Sequence, residues 1–372
     1  MAKSVLVISE SFGLGHERAA DALTRAMKQR VPNIQVRHTN SIGSSYPRLK
    51  DMIFKCYLQL INRLPQTWHR FYETSRAQTD DETSRRMVRL LLEGSITSEI
   101  KRFRPDAIVC THPFPASVIA GLKEKGLDVP LVGIITDYDI HAYWLNRNID
   151  LYIVGDQCLE KGFADLDFRP RRVSGQGIPI DPVFAHRTGR EEAREGLGLD
   201  SGRPVVLVGG GGWGLGALEK ITAMLAEMPE APQVTVVTGI NAGLRKVMMR
   251  RFSNKSNIRV EGLVDNIHEH MWAADVMVTK PGGLSTTECL ASGVPMVLFD
   301  VLYGQEVWNA RFLTGNGAAL KADSLEEIRE KVRIITGDIN SSKLLNKKAL
   351  LLGKPNSGPD AAGNVLRLAG VV

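Results

Sequence analysis

The first residue with the means to do chemistry is a histidine behind a glycine turn. The stretch SESFGLGHERAADAL (residues 9–23) places His16 just after the apolar run Val5–Ile8 and just before an alanine-rich run. Glycines tolerate positive φ and let other groups come close to the backbone, and alanine is the best helix former. His16 is therefore expected near the N-terminus of a helix, at the carboxyl end of a strand, which is the edge where ligands bind in open α/β sheets. An imidazole that is neutral near pH 7 suits a general base there; the same residue also reads as decoration of a turn.

Two further glycine turns stand in the second half. VVLVGGGGWGLGALEK runs Gly209, Gly210, Gly211 and Gly212 behind an apolar strand, with a helix expected from about Leu215. Consecutive amides without side chains form an anion nest, and a helix N-terminus adds favourable potential for phosphate. No Gly-Lys-Ser/Thr follows, so this is not a P-loop, and no acidic residue ends the next strand as a dinucleotide fingerprint requires. Farther on, TKPGGLSTTE turns the chain at Pro281, Gly282 and Gly283 and puts Ser285, Thr286 and Thr287 into the first turn of a helix. That is a second set of N–H donors, ready for a diphosphate. Glu288, one turn in, suits a ribose diol; Gln305, Glu306 and Asn309 suit the hydroxyls of a sugar. Capping explains each of these residues singly, but explains their joint spacing poorly.

The elements that must carry these turns alternate. Strand-like runs (SVLVIS, IQVRHT, DAIVCTH, VPLVGIITD, IDLYIVG, then PVVLVGG, QVTVVTG, IRVEGLV, VMVTK, PMVLFD, GAALKA) are separated by amphipathic helices. This pattern implies parallel sheets covered by helices on both faces. The Gly/Pro-rich SGQGIPIDPVFA near residue 180 divides the chain, so the expected architecture is α/β with two doubly wound, Rossmann-like domains facing across a cleft. The expected spans are 1–180 and 181–355, with a last helix in 356–372 that docks back on either domain.

Composition supports a globular enzyme: 372 residues, 43% apolar and 24% charged. Cys56, Cys110, Cys158 and Cys289 form no CxxC pair, which argues against a zinc site or disulfide framework and fits a reducing compartment. No apolar run reaches the ~18 residues of a membrane span, and the N-terminal run is too short for a signal peptide. Asp137 and Asp139 in TDYD read as structural, and no acidic pair sits in a glycine-bounded loop where a metal-held diphosphate needs it.

Charge is uneven. Net charge is +6, and residues 1–180 hold 25 Lys+Arg against 20 Asp+Glu. Six basic residues against two acidic ones gather in 41–76. Within YPRLKDMIFKCYLQLINRLPQTWHRFY (46–72), apolar residues recur at helical spacing, with Phe54 and Leu58 widening the stripe and Arg48, Lys50, Lys55, Arg63 and Trp68 around it. Basic and aromatic residues together suit the headgroup level of an anionic membrane. Ordinary core packing accounts for part of the stripe, though not for the gathered charge.

The chain resembles the glycosyltransferases of GT-B fold that include the monogalactosyldiacylglycerol synthases and the processive diacylglycerol glucosyltransferases, with MurG-type transferases as more distant relatives. GLGH, ITDYDIHAYWLNRNIDLYIV, GQGIPI, VEGLVDNI, KPGGLSTTE and GQEVWNA carry the resemblance over nearly the full length. The resemblance implies an inverting, metal-independent transfer of galactose or glucose from a UDP-sugar to diacylglycerol, with no cofactor. His16 is then the base, and Gly15 beside it belongs to the UDP-sugar-binding residues. Leu263 and Val264 read uracil through the backbone, and Glu288 holds the ribose. Gly282, Gly283, Leu284 and Ser285 take the diphosphate with Gly211 and Gly212, while Gln305, Glu306 and Asn309 take the sugar. His141 and Trp144 match family positions near the cleft, although as an isolated pair they read equally well as core. The implied partners are a UDP-hexose, diacylglycerol or a related lipid and an anionic membrane surface, without nucleic acid, in a cytoplasmic protein bound to the inner face of the membrane. A different lipid-linked acceptor and a UDP-N-acetylglucosamine 2-epimerase are the alternatives on the same fold. A nucleotide-sugar sensor without turnover is disfavoured by the presence of both His16 and Glu288.

Overall fold

The computed structural model describes residues 3–10, 14–41, 70, 72–76, 82–301 and 304–371. Its contacts divide it into two compact units, one built mainly from Met1–Pro182 with Asn356–Val372, the other from Val183–Leu302 with Glu306–Pro355.

The first unit is a sheet of six parallel strands: β1 (Ser4–Ser9), β2 (Gln35–Asn40), β3 (Ala107–Cys110), β4 (Leu131–Ile134), β5 (Leu151–Ile153) and β6 (Val173–Ser174), in the order β2-β1-β3-β4-β5-β6. Strands β1, β3, β4 and β5 are buried along their whole length, as a parallel sheet covered on both faces requires. Leu6 and Ile8 point to one face and pack with Leu92 and Ile96 of the helix Glu82–Phe103 and with Ile119 of the helix Pro113–Glu124. Val5 and Val7 point to the other, where Ala20, Leu23 and Met27 of the helix Leu14–Arg30 meet Ala361, Ala362 and Val365 of the last helix, Ser357–Leu368. The last helix thus closes the core of the first unit. Its alanines and glycines permit the close approach: a Cβ on Gly358 would stand 2.3 Å from the Ile180 carbonyl oxygen.

The second unit repeats the plan with β7 (Val205–Gly209), β8 (Gln233–Val237), β9 (Ile258–Glu261), β10 (Val276–Thr279), β11 (Met296–Leu298) and β12 (Ala319–Lys321), in the order β12-β11-β10-β7-β8-β9. Counted from β7, this is the Rossmann order 3-2-1-4-5-6. The expected parallel, doubly wound sheets are both present. Each sheet reverses its winding at one place, between β1 and β3 in the first and between β7 and β10 in the second, and in such sheets the crevice at that reversal, beyond the carboxyl ends of the strands, binds ligands. Two local expectations change. Val173–Ser174 pairs with β5 as a two-residue strand that runs into the first residue of what the sequence offers as linker. The helix expected from Leu215 begins at Leu218, because the glycines ahead of it close a turn of their own. Among the described residues no helix is long and apolar enough to cross a membrane.

Candidate functional site

In the first unit, β1 ends at Ser9, and His16 stands in the first turn of the helix that follows. The neighbouring strand β3 ends at Cys110 and is followed by Thr111 and His112. The sheet reversal therefore brings the two histidines together, with ring centroids 4.8 Å apart and the rings edge to face. The Thr111 carbonyl oxygen lies 2.7 Å from His16 Nδ1. A carbonyl only accepts, so Nδ1 carries the proton and Nε2 keeps its lone pair. Thr136 Oγ1, just beyond β4, stands 3.0 Å from the same nitrogen and steadies the ring. Burial lowers the pKa of His16, against the opposing effects of the Thr111 bond and of Glu17. His16 is thus a neutral imidazole of fixed tautomer.

His112 has the opposite arrangement. It caps the helix Pro113–Glu124, its Nδ1 accepting from the Phe114 amide at 3.2 Å, so the neutral ring bears its proton on Nε2. Burial first, and then the neighbouring His16, hold it well below the usual histidine pKa. Both histidines border a cavity of about 400 Å³ whose other walls include Met87, Val88, Phe114 and Tyr143. Sequence reasoning does not single out His112; the signal available is Pro113 after it, since a proline at the first helical position marks a helix start.

In the second unit, the glycine loop after β7 folds on itself. The Leu215 amide donates to the Gly210 carbonyl and the Gly214 amide to the Gly211 carbonyl, both at 3.0 Å. Gly214 has φ +58, and a Cβ there would stand 2.1 Å from the Thr238 carbonyl oxygen, so glycine is required. Gly211, at φ +68, opens on free space. Among the described residues no backbone hydrogen bond uses the Gly211 or Gly212 amide. Asp300, in the left-handed region at φ +47, accepts from the Ala217 amide at 3.1 Å and pins the far end of the loop.

One strand over, β10 ends at Thr279, and the helix Gly283–Ser292 begins at a glycine N-cap with no side-chain cap. Its first amides are therefore available to an anion, which the helix dipole also favours. Thr286 and Thr287 donate their hydroxyls back to the Gly282 and Gly283 carbonyls at 2.7–3.0 Å, so backbone N–H groups, with Ser285, are what this end presents. Leu284 is buried beneath the turn, and Glu288 is buried one turn on. Asn309 is fully buried and donates from Nδ2 to the Pro281 carbonyl at 2.9 Å. It braces the Pro-Gly-Gly turn and does not lie open to a sugar. Glu306 forms an ion pair with Lys280 at 3.1 Å, and Gln305 opens the helix Gln305–Gly315. Leu263 is 51% exposed in the loop after β9, next to Val264.

The comparisons with known proteins follow the same division. Residues 16–180 match the family model of monogalactosyldiacylglycerol (MGDG) synthase, and residues 205–351 that of the glycosyltransferase family 28 C-terminal domain. These two glycosyltransferase models together account for most of the chain. The transferase is 25% identical over 343 residues to a processive diacylglycerol beta-glucosyltransferase of Staphylococcus carnosus, covering 91% of this chain and 86% of that protein. It is 26% identical over 373 residues to the Bacillus cereus protein of the same name, covering 97% and 92%. Among solved structures it resembles Acinetobacter baumannii MurG (TM-score 0.62, 14% identity, 98% of this chain and 99% of that one). It also resembles the kitacinnamycin glycotransferase (TM-score 0.65, 17% identity, 99% of each). The fold is GT-B.

His141 and Trp144 line the same cavity as His16. His141 Nδ1 accepts from the Tyr143 amide at 3.1 Å, its ring stacks on Tyr143, and Nε2 lies 3.3 Å from Ser75 Oγ, which itself donates to the Tyr72 carbonyl. Both ring nitrogens are engaged, so His141 is a cap and a wall of the cavity. Trp144 is 5% exposed and belongs to the core. Asp139 takes both arms of the Arg76 guanidinium, at 2.7 and 2.8 Å. The expected membrane-facing residues Arg48, Lys50, Phe54, Lys55, Leu58, Arg63 and Trp68 lie outside the described residues.

Burial, followed by the charge of Arg76, pushes the His141 pKa down to about 4. The unfolded chain titrates this residue near 6.5. Between these values the unfolded state binds more protons, so stability falls as pH drops from about 6.5 towards 4, by up to about 3 kcal/mol. His141→Asn keeps a cap acceptor and removes the titration. Urea midpoints measured from pH 7 to pH 4 should therefore fall less steeply for the variant; parallel slopes contradict the assignment.

Proposed function

We propose that this chain is an inverting, metal-independent hexosyltransferase that moves glucose from UDP-glucose to diacylglycerol at a membrane surface. The observation that carries the reading is His16: a neutral imidazole with Nδ1 tied to the Thr111 carbonyl and Nε2 left basic, at the sheet reversal and on a largely apolar cavity. A lipid hydroxyl lodged in that cavity would lose its proton to Nε2 as its oxygen attacks the anomeric carbon from the face opposite the leaving group. One displacement, with one base and no covalent intermediate on the protein, inverts the configuration at C1.

The leaving UDP gains charge as the bond breaks. The uncapped amides from Gly283 and the open amides of Gly211 and Gly212 are fixed dipoles suited to that charge, and preorganised donors of this kind supply transition-state stabilisation without reorganisation. Glu288 would accept from the ribose diol, the backbone at Leu263 and Val264 would read the uracil, and Gln305 and Glu306 would meet the sugar, with Asn309 holding the turn behind them. Glucose is preferred to galactose because the curated relatives are named glucosyltransferases. The proposed place of action is the inner face of the cell membrane, with the protein cytoplasmic and peripherally bound and with no nucleic-acid partner. MurG-like use of another lipid-linked acceptor requires the same base and the same donor turn.

The reading is tested by giving the protein diacylglycerol in vesicles with UDP-glucose or UDP-galactose in parallel, with and without EDTA. A glucosylated lipid, formed at the same rate in EDTA, is expected. No glycolipid from either donor contradicts the function, and loss of activity in EDTA contradicts the metal-free mechanism.

A further inference from the structure

The second unit carries a helix whose solvent side is unusual for a soluble surface. The helix Ile339–Leu352, about 21 Å long at 1.5 Å per residue, packs inward through Leu345 and Ala349. Its exposed positions are Ile339, Asn340, Lys343, Leu344, Lys347, Lys348, Leu350 and Leu351. Four are large and apolar, three are lysine and none is acidic. Ile339, Leu344 and Leu351 are 66%, 58% and 65% exposed. Leu344 and Leu351 stand two turns apart on one line of the helix, with Lys347 and Lys348 on either side of it. Leu350 is partly accounted for, since it covers Gly293.

No such packing accounts for Leu344 or Leu351, and no described carboxylate pairs with Lys343, Lys347 or Lys348. Asp338, the one acid at the helix start, is occupied as the N-cap, accepting from Asn340 and Ser341. Apolar residues lined by lysines on an exposed helix match the acyl-headgroup boundary of an anionic bilayer, whose negative surface potential attracts the lysines. A protein partner would need acids placed opposite three separate lysines; a bilayer supplies negative charge everywhere.

We infer that the helix Ile339–Leu352 lies on the membrane as a contact of the sugar-donor unit, separate from residues 46–72. The inference rests on the membrane-surface reading above, and the experiment separates the two. An environment-sensitive fluorophore is attached to Leu351→Cys in the full chain, with Cys56 and Cys158 changed to Ser, and to Lys255→Cys as an exposed control. With phosphatidylglycerol vesicles the Leu351 probe should shift to the blue and be quenched by brominated acyl chains, while the Lys255 probe should not respond. Lys343→Gln, Lys347→Gln and Lys348→Gln together should weaken vesicle partition by about tenfold or more and leave UDP affinity unchanged. If the chain pellets with vesicles while the Leu351 probe stays aqueous, the inference fails and the membrane reading stands. If the chain does not pellet at all, both fail. A blue shift without vesicles that grows with protein concentration shows that the helix joins two copies of the chain, and also overturns the inference.

Discussion

His16→Ala is expected to lower kcat by about 10²–10⁴-fold, the contribution of a positioned general base, with UDP affinity nearly unchanged. The size of the effect follows from how completely the ring is prepared. Thr111 fixes the tautomer and Thr136 steadies the ring, and burial keeps the imidazole neutral. The pH dependence has a definite sign. A lowered pKa keeps the base unprotonated further into acid, so the acid limb of kcat/KM should fall below the ordinary histidine value of about 6.5. Turnover of His16→Ala within a few-fold of wild type, or an acid limb at or above 6.5, contradicts the assignment.

The second large effect is expected at Glu288. Its carboxylate is buried one turn behind an uncapped helix N-terminus, where the proposed function puts the ribose. Glu288→Ala should weaken UDP binding by about 1.5–3 kcal/mol, the range for hydrogen bonds to a charged group. Glu288→Gln, which keeps one acceptor, should lose less. Calorimetry with UDP, and with inorganic pyrophosphate as the ribose-free control, separates the roles. A loss for UDP with none for pyrophosphate is the expected result. Equal affinities, or an equal loss for both ligands, contradict the ribose contact.

Much of this architecture is legible in the sequence because a buried parallel strand leaves little choice of residue. VLVI, AIVC and VVLV are apolar at every position, VMVT at all but its last, and each is a strand buried on both faces. The catalytic candidate was legible for the same reason, since a glycine turn and a histidine between such a strand and an alanine-rich helix have few structural uses. What was not legible depends on contacts across strands. His112 meets His16 only because β3 lies beside β1, 95 residues or so along the chain from it, as the Thr111–His16 bond records. Asn309 looked like a sugar ligand by type, but it folds inward to the Pro281 carbonyl. Asp300 holds the glycine loop from two strands away in a left-handed conformation that no local pattern announces. Val173–Ser174 is a strand by pairing alone, since two residues carry no period.

The most direct test of the central claim, direct displacement by a histidine-activated lipid hydroxyl, is the anomeric configuration of the product. Glycolipid made from UDP-α-glucose and diacylglycerol should be examined by proton NMR under single-turnover conditions, with His16→Ala as the parallel sample. The account predicts β-glucosyl diacylglycerol from the wild-type protein and no product from the variant on the same timescale. An α-linked product, or the same yield of glycolipid from His16→Ala, contradicts it.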